Sequence, residues 1–90
     1  MRKNKLIFVE WVDTTTIPDW YSEFNVKNLC PTTIHSVGWL IKSDKDFIVI
    51  AASFSPTSEL FSQISCIPKG CIVTHYDLNL PKIIEANKDV

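Results

Sequence analysis

Residues 33–55 constrain the fold more than any other part of the chain. They read as two long strands joined by a tight turn. The first arm, residues 34–41, is β-branched, aromatic and apolar. Ser43-Asp44-Lys45-Asp46 is the one polar cluster, and Ser and Asp favour turns because their side chains bond the local backbone. The second arm, residues 47–52, is an unbroken apolar run that fits a strand covered on both faces or a piece of buried helix. Val49 and its two Ile neighbours favour strand. Gly38 lies inside the first arm, where a lone glycine marks a bulge, a sharp bend or the close approach of another backbone. A bent hairpin of this kind is what a small closed sheet requires.

Three further stretches take period-two strand readings. In residues 6–12, Ile7, Val9 and Trp11 alternate with Leu6, Phe8, Glu10 and Val12, and the Ile7 face is the better core candidate because the other carries a charge. Residues 60–67 are ambiguous, since Ser55 or Thr57 would start a helix. Alternation of Ile64 and Cys66 with Ser62 and Ser65 favours a strand ending at Ile67. Pro68-Lys69-Gly70 predicts a tight 3₁₀ turn. In residues 71–78, Ile72, Thr74, Tyr76 and Leu78 alternate with Val73, His75 and Asp77. A short helical turn opens at Pro18-Asp19-Trp20, placing Trp20, Tyr21 and Phe24 on one side. Residues 2–5 form a basic, frayed lead-in, and residues 79–90 a polar tail with a short helix over 82–87. The expected fold is mainly β: a small antiparallel SH3-like β-barrel of about five strands with one short helical turn, closed so that no edge is exposed. The 90 residues form a single domain with its core in residues 6–78.

Composition narrows the function. Net charge is −1, and the nine basic residues, one of them Arg, are scattered among ten acids. A duplex-DNA binder presents a clustered basic face, so duplex nucleic acid is not an expected partner. No stretch approaches the ~20 apolar residues of a membrane span. The opening apolar run ends at Glu10 and Asp13 with no small-residue cleavage site, so a signal peptide is not expected. The three cysteines fit no zinc spacing, and Cys66 and Cys71 merely flank Ile-Pro-Lys-Gly. They are expected to be partly buried free thiols in a reducing compartment, the cytoplasm.

No enzymatic constellation is evident. His35 and His75 stand in no metal spacing, and Gly38 and Gly70 are the only glycines, so there is no Gly-rich phosphate loop. The expectation is a protein that is not an enzyme and uses no cofactor.

Several short motifs carry a resemblance. They are Val9-Glu10-Trp11-Val12-Asp13, Trp20, Ser36-Val37-Gly38-Trp39-Leu40, Ala51-Ala52-Ser53, and Ile67-Pro68-Lys69 followed by Ile72. Together they resemble a widespread set of small phage-encoded proteins, a resemblance that covers residues 9–78. Proteins of that kind are often anti-defence factors, and one such group resembles nucleotide sponges that sequester cyclic dinucleotides or related immune signals. The resemblance implies action in the host cytoplasm, on a small nucleotide ligand, without turnover.

Candidate ligand residues follow from what a nucleotide site requires. Trp11, Trp20 and Trp39 offer stacking planes, each worth about 1–3 kcal/mol per base. Each is equally at home in a core. Lys69, beside its turn, is a candidate anion contact or a solvated turn lysine. Ser36 and Ser53 lie on otherwise apolar strands and offer hydroxyls to a ligand or to the backbone. Asp13 is a base-edge reader or a turn former. A five-stranded barrel fills its own interior, so a nucleotide site would lie outside it and need a second copy as a wall, with Phe8, Trp39 and Phe61 at the contact. The protein is therefore expected to be a homo-oligomer. The alternative is an SH3-like interaction module that binds a host protein or peptide, with Trp39, Trp20 and Tyr76 as an aromatic groove.

Overall fold

The computed structural model describes residues 4–79. Five strands form one antiparallel sheet: β1 (Leu6–Asp13), β2 (Thr32–Ser43), β3 (Phe47–Ser55), β4 (Leu60–Pro68) and β5 (Ile72–Leu78). A four-residue helix, α1 (Glu23–Val26), lies between β1 and β2, and a 3₁₀ turn, Lys69–Cys71, joins β4 to β5. The strand order is β4-β3-β2-β1-β5. The mainly β class and the central hairpin are as expected, and residues 60–67 are strand rather than helix.

Closure is not as expected. The sheet is open, with β4 and β5 as its two edges. The three-residue connection ties the end of one edge to the start of the other, so the sheet must curl until its edges meet there. Away from that turn no ladder joins them. Alternation identifies the strands, whereas closure depends on how far the sheet coils. Alternation also misplaces Ile72, which the register shift against β1 turns onto the core, away from the Tyr76 side.

The coil is built largely into β2. Gly38 is buried, and a Cβ at its position would lie 2.8 Å from the carbonyl oxygen of Ala51. The backbone of β3 therefore rides over β2 at a separation that only glycine permits. Beyond it, the register between β2 and β3 shifts between Leu40 and Lys42, and a second shift occurs between β1 and β5 at Glu10/Trp11. Such bulges increase the local twist. The β2–β3 turn is held by Asp44, whose Oδ1 accepts from the amides of Asp46 (2.8 Å) and Phe47 (3.0 Å). These two bonds, the first above all, hold the Asp44 carboxyl below its ordinary value of 3.8, with help from Lys42.

The inner face of the curl carries the core. Ile7 and Val9 of β1, Ile48 and Ile50 of β3 and Ile67 of β4 are buried, with Trp11, Leu40 and Ile72 packed against them. The Ile7–Val9–Trp11 face is the core face, as alternation predicts. Residues 4 and 5 are not frayed: Asn4 donates to the Leu40 carbonyl (2.9 Å), and the Lys5 carbonyl accepts from the Leu40 amide (2.7 Å). The helical turn starts later than expected. Ser22, not the segment around Pro18, is the cap, its hydroxyl accepting from the Asn25 amide. None of its residues is buried. Cys30, Cys66 and Cys71 are unbridged, but Cys30 and Cys66 are exposed rather than partly buried. The expected tail helix lies outside the described residues.

Candidate functional site

Two surfaces have the character of a binding site. The first is a groove at the mouth of the curled sheet, about 530 Å³ in volume. Its floor is apolar, from Ile7, Leu40, Ile48 and Ile72. Its rim is polar, from Lys5, Ser43, Lys69, His75 and Asp77. The turn carrying Lys69 is fixed there because its amide donates to the Asp46 carbonyl (2.8 Å). Lys5 Nζ lies 3.4 Å from Asp77 Oδ2, so part of the rim's positive charge is already compensated. The volume falls in the ~300–1,000 Å³ range of small-molecule sites. Among the described residues, no Trp, Tyr or Phe lines the groove.

The second surface is the segment between β1 and β2, residues 14–31. Trp20 is 101 % exposed and Phe24 78 %. Tyr21, Val26 and Leu29 are exposed beside them in sequence. The ends of the segment are held together by the hydroxyls of Thr15 and Thr32, 2.8 Å apart. Helix α1 gives it local order through Ser22 and through Asn28, whose side-chain amide donates to the Phe24 carbonyl. The segment thus holds large apolar side chains in water.

The residues picked out by sequence do not form one site. Trp11 and Ser36 do meet: Trp11 Nε1 donates to Ser36 Oγ at 3.0 Å, and Trp11 packs on the core. That pair satisfies itself. Asp13 Oδ1 accepts from the Thr14 amide, the turn-forming role. Trp39 is half-buried on the outer face, opposite Leu6 and Ala51. Ser53 is exposed beyond it on the β3–β4 hairpin, opposite Ser62. Lys69 alone lines the groove. Trp20, exposed in full, makes no aromatic groove with Trp39 and Tyr76, and the ring that Tyr76 stacks on is Phe8.

Sequence reasoning missed Lys5, His75 and Asp77. Alternation already puts His75 and Asp77 on one side of β5, but only the β1–β5 register, Ile7 opposite Asp77 and Val9 opposite His75, turns that side inward. Among the described residues, no group of three or more His, Cys, Asp or Glu side chains is placed to hold a metal ion. Among the described residues, no helix is long and apolar enough to cross a membrane. Comparison with family models, curated proteins and solved structures gives no match.

Proposed function

We propose that this chain is a non-catalytic interaction module that binds another protein through the aromatic segment between β1 and β2. The observation that carries this reading is the complete exposure of Trp20, with Phe24 close behind it. Trp and Tyr are the residues most enriched among those that dominate interface energy. Their rings bring large contact area at low conformational cost, and a monomer gains nothing by holding them in water. If the likeness to small phage-encoded proteins extends to function, the partner is a host protein.

The test is affinity capture with the tagged protein from host extract, beside a Trp20→Ala variant. A partner retained by the wild type should be lost or weakened about thirty-fold by the variant, the effect of removing a ~2 kcal/mol anchor. Equal retention by both proteins rejects the segment as the binding surface.

A second reading, sequestration of a small nucleotide signal such as a cyclic dinucleotide, is favoured by the groove. It has the volume for such a ligand, and Lys69, Lys5 and His75 on its rim suit phosphate. Against it, the tryptophans that would stack on a base lie elsewhere. Calorimetry with a panel of cyclic dinucleotides tests this reading. Nanomolar binding that Lys69→Ala weakens, with the ligand recovered intact, would establish it over the first.

A further inference from the structure

The outer face of the sheet carries a strip of rings that neither of the two surfaces uses. Strand β1 runs between β2 and β5, and its residues Phe8 and Glu10 point away from the core face of Ile7 and Val9. In one cross-strand row Phe8 lies between Tyr76 and Val37. In the next, Glu10 lies between Thr74 and His35. The Phe8 and Tyr76 rings stack, with centroids 6.1 Å apart and planes 27° apart. The His35 ring makes a T-shaped contact with Phe8 at 5.2 Å. Tyr76 is 60 % exposed and Val37 50 %, so the strip faces water.

The charge of this face has one sign. His35 Nε2 lies 3.4 Å from Glu10 Oε1, and Oε2 has no hydrogen-bond or ion-pair partner among the described residues. The flanking rows are Leu78–Leu6–Trp39 on one side and Val12–Thr33 on the other. No Lys or Arg stands in any of these four rows. Lys5, next to β1 in sequence, is engaged by Asp77. An aromatic face is the negative side of the ring's quadrupole. Rings and carboxylate together make an apolar, negative surface with no resident Lys or Arg.

We propose that this face binds an arginine side chain of a partner protein, with the guanidinium over the Phe8 and Tyr76 rings and its N–H groups on the Glu10 carboxylate. A guanidinium is planar and weakly hydrated, so it stacks on a ring while its fork bonds a carboxylate. Glu10 and Tyr76 are diagonal neighbours across the β1–β5 pair, about 7–8 Å apart along the sheet, a gap that a guanidinium bridges. The register shift of that pair falls between Glu10 and Trp11, so the diagonal itself is regular. An ammonium is compact and strongly hydrated, and it serves the ring or the carboxylate less well together. The site includes neither Trp20 nor the groove, so it stands apart from both readings above.

The test is a heteronuclear NMR titration with a short glycine peptide carrying one arginine, beside the same peptide carrying citrulline, which keeps the shape and loses the charge. The arginine peptide should shift the ring signals of Phe8, Tyr76 and His35 and the amide of Glu10. The citrulline peptide should bind about tenfold more weakly. Glu10→Gln, which keeps an oxygen for His35, and Tyr76→Leu, which keeps apolar bulk without a ring, should each weaken the arginine peptide about fivefold. If circular dichroism shows Tyr76→Leu to be misfolded, Glu10→Gln alone decides. Equal binding of the two peptides, wild-type affinity in Glu10→Gln, or no shift at millimolar peptide would overturn the proposal. Trp20→Ala should bind the arginine peptide as the wild type does, and a loss there would move the arginine to residues 14–31 and overturn it as well. Failure of the titration leaves partner capture through Trp20 standing, and failure of that capture leaves the titration standing.

Discussion

Asp44 shows how a single side chain fixes the central hairpin. Its carboxylate takes two backbone amides that the turn would otherwise leave to water, and that charge-assisted pair lowers its pKa. A group whose pKa is lower folded than unfolded adds stability above the unfolded value. The contribution falls as pH drops through 3.8 towards the folded value. Thermal melts between pH 6 and pH 2 should therefore lose part of their acid sensitivity in Asp44→Asn, which keeps an acceptor oxygen without a titrating charge. Asp44→Ala should melt lower than the wild type at pH 6. Ser36 is the comparable case in the sheet. Ser36→Ala leaves the half-buried Trp11 indole N–H without its acceptor and should cost about 1 kcal/mol in urea denaturation. That loss, with no effect on ligand or partner binding, is the outcome expected of a structural pair.

Strand β2 is the element that gives the sheet its curl, and Gly38 is the reason. A side chain there would meet backbone, the Ala51 carbonyl at 2.8 Å, rather than a movable side chain. Gly38→Val should thus force β2 and β3 apart and destabilise by about 3 kcal/mol, seen as a fall in Tm of roughly 12–24 °C for a domain of this size. A variant that melts with the wild type would show that the strands part without cost. The strands, the hairpin turn and this glycine were legible in the sequence because each rests on a local rule: period-two alternation, turn chemistry, and the absent Cβ. Helix α1 was misplaced because Pro18 offers an early start, while Ser22 accepts the Asn25 amide and sets the actual one. Openness was not legible, since it depends on whether backbones about ten residues apart in sequence come within bonding distance after the sheet has coiled. The same limit applies to the groove. Lys5 and His75 come together through the β1–β5 pairing, and nothing in either residue's own neighbourhood announces it.

At the scale of the molecule, the inner face is satisfied and the rest of the surface is not. The core is a small cluster of Ile and Val, while Trp20, Phe24, Leu60, Ile64 and Tyr76 all stand more than half exposed. Such a distribution suits a protein whose native form is a complex, and the three tryptophans report which complex. Trp11 and Trp39 are half-buried in the sheet, so the freely quenchable part of the emission belongs to Trp20. Acrylamide should quench one component readily, and Trp20→Phe should remove that component while leaving the melting temperature unchanged. A protein partner seated on the segment between β1 and β2 should shield Trp20, abolishing the quenchable component and shifting emission to the blue. A cyclic dinucleotide held by Lys69 and Lys5 would occupy a groove that no tryptophan lines, so it should bind in calorimetry and leave Trp20 as quenchable as before. Protection of Trp20 by a captured protein, with no heat from any dinucleotide, is the result expected here. Heat from a dinucleotide with Trp20 still exposed in every complex would transfer the function to the groove.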